Sequence, residues 1–139
     1  MKTVVVDASV AVKWFLPEEG SEQAEMLLGG KFRLIAPDLL WTEVANVLWK
    51  IARRGSITAD EAQQMLRDAS AMPVEIIESL PLLPEALRVA TAADRSVYDS
   101  LYIALAAREK ARMVTADQKL VTALAKTEWA SRVVPIGDL

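Results

Sequence analysis

At 139 residues and without cysteine, the chain has the length of one ordinary domain, spanning 1–139, that can bury a core without disulfides or a structural metal. The missing thiols exclude thiolate metal sites and thiol nucleophiles and fit a reducing, cytoplasmic setting; the missing histidines exclude Ser-His-Asp catalysis, histidine acid-base pairs and His-ligated zinc or iron. Hydrolytic chemistry on this chain therefore has to run on carboxylates, and a formal charge of −3 means that any nucleic acid is held locally rather than along a broad basic face.

Residues 3–6 form a β-branched run that ends in Asp7, and the pattern then turns helical over residues 8–16, with Val12 and Phe15 on one side. Asp7 and Lys13 interrupt this apolar stretch and no convincing cleavage site follows, so it reads as core strand plus helix rather than as a signal peptide. No apolar run approaches the roughly 20 residues that span a bilayer, and no membrane association is expected. A short helix over 21–28 is broken by Gly29 and Gly30, residues 32–36 supply the next strand, and Asp38 is a candidate N-cap for a helix over 39–54 closed by Gly55. Thr58 with Glu61 spells a capping box at the head of a helix over 58–71. Residues 74–77 read as a buried strand. Helices over 84–93 and 98–110 follow, the second with Tyr98, Leu101, Tyr102 and Leu105 as an apolar stripe. A strand over 112–115, a helix over 117–126 and a last strand over 133–136 complete the series.

Strands alternating with helices predict a three-layer α/β/α sandwich with a mostly parallel sheet. In such sheets function collects at the carboxyl ends of the strands, where the crossover helices begin. Four acids map to that edge: Asp7 after the first strand, Glu43 early in the helix after the second, Asp99 at the head of the helix leading into the fourth, and Asp117 directly after the fourth. Asp7, Asp99 and Asp117 taken singly lie where acidic groups cap helices, and Ser96 with Asp99 even imitates a capping box. Together, without basic neighbours, such carboxylates would repel one another unless a divalent cation neutralised them. Ligands that are all oxygen favour Mg²⁺ or Mn²⁺.

The segments V-V-V-D-A-S-V, T-E-V-A-N, V-Y-D-S-L-Y-I-A-L-A and V-T-A-D-Q-K-L together resemble the PIN-domain family, in particular its VapC-type toxins, over nearly the whole chain from Val4 to Leu120. The resemblance implies strand order 3-2-1-4-5, a homodimer, and metal-dependent endoribonuclease activity restrained by a cognate antitoxin. It matches Asp7, Glu43, Asp99 and Asp117 to the family's four acidic positions, and Ser9, Asn46 and Thr115 to polar positions that support them. The expected metal ligands are Asp7, Asp99 and Asp117, with Glu43 holding water or acting as base.

Lys50, Arg53 and Arg54, and likewise Arg108, Lys110 and Arg112, crowd helix ends where they complement the dipole on the side away from the acids. Lys13 is the better phosphate contact by its nearness to Asp7 in sequence. Trp14, Phe15, Trp41 and Trp49 exceed what a small core readily absorbs, so some are expected on an apolar groove for an antitoxin helix or a second subunit. Two rivals remain. A phosphoacceptor regulatory domain lacks its adjacent acidic pair after the first strand, and a silent PIN scaffold would have no use for four converging acids.

Overall fold

The computed structural model describes residues 1–139. Five parallel strands, β1 (Lys2–Val6), β2 (Phe32–Pro37), β3 (Val74–Ile77), β4 (Arg112–Thr115) and β5 (Val133–Pro135), form one sheet in the order β3-β2-β1-β4-β5. The chain starts in the middle, moves outward through β2 and β3, then returns to place β4 against the other side of β1. That reversal makes the gap between β1 and β4 a topological switch point, the place where a parallel sheet opens a crevice.

Val4, Val5 and Val6 are all buried, as are Leu34, Ile35 and Ala36. Successive strand residues face opposite ways, so both faces of the sheet are covered. The helices are α1 (Ala8–Ala11), α2 (Ser21–Met26), α3 (Leu40–Arg53), α4 (Ala59–Ser70), α5 (Leu83–Ala93), α6 (Val97–Arg108) and α7 (Gln118–Leu124). Helix α6 packs on β1, β2 and β4 and is backed by α5, while α3 packs against α1 and α4. None of the helices is long and apolar enough to cross a membrane.

Several expectations are corrected. The helix expected over 8–16 gives way after Ala11 to a 3-10 turn at Val12–Trp14. Asp38 does not cap α3, whose N-cap is Leu39 with no side-chain bond; the Asp38 carboxylate instead accepts the backbone N–H and hydroxyl of Ser79, tying the end of β2 to the segment after β3. β3 is an edge strand with Glu75 and Ile76 exposed, not a buried one. The apolar stripe on α6 is also wrong: every residue from Ser100 to Ala106 is buried, because sheet and α5 enclose that helix, while Tyr98 is exposed. The capping box of Thr58 and Glu61 is present as expected.

Candidate active site

Asp7 leaves β1 in extended conformation and caps α1, its Oδ1 accepting the Val10 N–H at 3.1 Å. Two hydroxyls complete its shell: Ser9 donates to Oδ1 at 2.6 Å and Thr115 donates to Oδ2 at 2.6 Å. Val6 lies opposite Val114 in the register, so Thr115 is brought beside Asp7 by the pairing of β1 with β4. The side chain is 7% exposed. Burial pushes its pKa up to about 6, against the opposing pull of the Ser9, Thr115 and Val10 bonds and with a small further push from the Asp117 charge.

Asp117 follows β4 and caps α7 through Oδ1, which accepts the Leu120 N–H at 3.2 Å. Thr115 also accepts the Asp117 N–H, and Ser9 accepts the Ala116 N–H, each at 3.0 Å. Two hydroxyls thus stitch both strand ends across the switch point. Asp99 stands in the first turn of α6, with its N–H bonded to the N-cap hydroxyl of Ser96. Glu43 stands in the first turn of α3, where Tyr102 of α6 donates to its Oε1 at 2.5 Å. Burial raises the Glu43 pKa, the Tyr102 bond opposes this, and the charges of Asp99 and Asp7 add to it. The Tyr102 phenol is itself held well above its usual range by burial and by Glu43.

All four predicted acids therefore lie at one edge, together with Ser9 and Thr115. Asn46 is exposed and makes no hydrogen bond to them. Lys13 is committed elsewhere, with its ammonium 3.0 Å from Glu18 and 2.6 Å from the Glu19 carbonyl, where it braces the loop before α2. The cluster does have a basic neighbour in Arg95, whose Nη2 bridges Asp99 Oδ2 and Asp117 Oδ2 at 3.0 Å each. Arg95 and Tyr102 were the site residues not assigned a role from sequence; Tyr102 was visible as part of a helical stripe, while nothing in the sequence links Arg95 to a carboxylate 22 positions on.

An all-oxygen donor set around a buried carboxylate suits a hard divalent cation. No three acidic side chains lie close enough together to hold one ion; Asp7 is tied to hydroxyls, Glu43 to Tyr102, and Asp99 and Asp117 to Arg95. The residues fit the cation in kind, while the acids as placed here stand too far apart for three of them to share one ion.

A five-stranded parallel sheet with carboxylates gathered at its central switch point defines a carboxylate-centred α/β protein. Comparison narrows this: the PIN-domain family model matches residues 4–126, and the chain belongs to the PIN-domain family. It is 38% identical over 119 residues to Ribonuclease VapC3 of Pyrobaculum aerophilum, covering 84% of this chain and 91% of that protein. A solved structure from the same organism superposes with a TM-score of 0.74 at 24% identity, covering 98% of this chain and 90% of that one. A chain of a toxin-antitoxin complex from Klebsiella pneumoniae gives 0.68 at 14% identity, with 98% and 99% covered. Strand order 3-2-1-4-5 is as the resemblance implied, and the phosphoacceptor alternative falls with it.

Proposed function

We propose that this protein is an endoribonuclease dependent on Mg²⁺ or Mn²⁺, acting as the toxin of a toxin-antitoxin pair. The observation that carries this reading is the gathering of Asp7, Glu43, Asp99 and Asp117 at one sheet edge on a PIN fold. The similarity to Ribonuclease VapC3 supports the ribonuclease activity, and the likeness to the Klebsiella complex is consistent with an antitoxin partner.

Asp7, Asp99 and Asp117 would hold the cation, which when bound supplies charge neutralisation at the scissile phosphate and a more acidic water. Asp7 is aimed by Ser9 and Thr115, so its position is set before any ligand arrives. Glu43 is the proposed base: Oε1 is held by Tyr102, leaving Oε2 to take the proton of the attacking water. A raised pKa suits that task, since a stronger base moves the proton more readily. Attack by water leaves a 5′-phosphate and a 3′-hydroxyl and has no use for the RNA 2′-hydroxyl as nucleophile.

The test is cleavage of structured and single-stranded RNAs with Mg²⁺ or Mn²⁺, beside chelator and Asp99→Asn controls. Metal-dependent cleavage that Asp99→Asn abolishes is the expected outcome; activity surviving in that variant, or products ending in a 2′,3′-cyclic phosphate, would reject the mechanism. The proposed homodimer predicts a sedimentation mass of twice the 15.2 kDa chain, and a monomer at high concentration would refute it.

A further inference from the structure

The acidic edge contains one cation of its own. Arg95 lies in the three-residue link between α5 and α6, just after Asp94, which closes α5 in the left-handed conformation at φ 53°. Its backbone N–H is bonded to the Ala90 carbonyl at 3.3 Å, so the turn fixes where the side chain starts. From there a single nitrogen, Nη2, lies 3.0 Å from one oxygen of Asp99 and 3.0 Å from one oxygen of Asp117. No other lysine or arginine pairs with the four acids.

We propose that the Arg95 guanidinium is the resident counter-ion of this centre, standing between Asp99 and Asp117, two of the residues that would hold a divalent cation, so that the metal binds by exchange against this side chain. The inference rests on the metal-dependent reading above and concerns how the ion gains entry.

Three features support exchange rather than a permanent structural clasp. First, one guanidinium nitrogen touches two of the carboxylates that would hold the ion, so its charge already serves the neutralising purpose that a divalent cation would serve there. No three acids stand close enough to hold an ion in this arrangement. Second, the Arg95 Nε is buried and has no hydrogen-bond partner, so the inward pose leaves one donor without the water it would regain outside. Third, the side chain is 24% exposed, so part of it already meets solvent.

The experiment is calorimetric titration of the whole chain with MnCl₂, comparing wild type, Arg95→Gln, Arg95→Lys and the double variant Asp99→Asn/Asp117→Asn. Removing the competing charge should tighten Mn²⁺ binding on the order of tenfold or more in Arg95→Gln. Arg95→Lys should stay closer to wild type and the double variant should lose the site. Equal or weaker binding in Arg95→Gln overturns the exchange while leaving the metal site standing; saturable binding by none of the proteins overturns the metal reading itself. Wild type supplies a measurement that does not depend on any variant folding. On adding diamagnetic Mg²⁺, the Arg95 Nε–Hε signal in the nitrogen-proton NMR spectrum should shift and exchange faster with water. A signal unchanged at saturating Mg²⁺ would mean that the guanidinium stays in place.

Discussion

At the scale of single residues, capping a helix does not remove an acid from the cluster: Asp7 and Asp117 each cap a helix and still stand at the acidic edge. Asp117 caps α7 with Oδ1 and turns Oδ2 to Arg95. Asp7 has a folded pKa of about 6 against 3.8 for the free group. With a raised carboxyl pKa the folded state binds more protons than the unfolded one between those values, so its contribution to stability falls as pH rises from about 4 to 6. The accumulated cost above pH 6 is about 3 kcal/mol. In chelator, Asp7→Asn should therefore stabilise the protein at pH 8 and much less at pH 4, since asparagine still caps α1. An effect of Asp7→Asn that is the same at both pH values in thermal melts would instead mean that the Asp7 charge carries no cost to the fold. Tyr102→Phe removes the bond that lowers the Glu43 pKa. It should slow RNA cleavage about tenfold and move the acid limb of the pH-rate profile to higher pH; an unmoved limb would remove Tyr102 from the positioning of the base. The four acids were legible because each sits at a recognisable junction. Tyr102 reaching Glu43 and Arg95 reaching Asp117 were not, because those meetings depend on how α3, α6 and the strand ends are set beside one another.

At the scale of elements, legibility followed whether the signal was local. The capping box at Thr58 is complete within four residues, with the Glu61 N–H donating to Thr58 Oγ1 at 3.0 Å and the Thr58 N–H donating to Glu61 Oε1 at 2.9 Å. Thr58→Ala should cost about 1 kcal/mol of stability, read as a lower denaturant midpoint with unchanged slope, and RNA cleavage should be untouched because α4 contributes no acid to the site. A change in the slope would mean that α4 frays separately from the rest. The strand over 112–115 was likewise legible to the residue. Helix α6 was misread for a tertiary reason: with small residues at Ser100, Ala104 and Ala106 between Leu101, Tyr102, Ile103 and Leu105, it is enclosed on every side. A helix buried all round has no polar face for periodicity to find. Strand β3 was misread in the opposite sense, since an apolar run says nothing about whether a second strand lies beyond it.

At the scale of the whole molecule, alternation predicted an α/β sandwich, but strand order came only through the resemblance, because short apolar strands do not encode which neighbour they choose. Order is what turns four scattered acids into one centre: placing β4 against β1 brings Asp117 and Thr115 to Asp7. Asp7 and Glu43, whose pKa values burial raises, burden the metal-free fold at high pH, and a ligand that binds only the native state stabilises it by mass action, about 2.7 kcal/mol at a hundredfold excess over Kd. For a chain of this size that corresponds to roughly 10 °C in melting temperature. Protons compete for the same oxygens, so the gain with Mn²⁺ should be large at pH 8 and small at pH 5, where Asp7, with a pKa of about 6, is mostly protonated. The melting temperature then has two opposed pH slopes: between pH 5 and 8 the Asp7 contribution falls in chelator, whereas the increment from Mn²⁺ rises. A neutral Asp7 in Asp7→Asn should flatten both slopes together, because both originate in the same proton. If the variant kept the pH-dependent gain from Mn²⁺, the ion would bind somewhere other than this edge, and the site proposed for RNA cleavage would have to move with it.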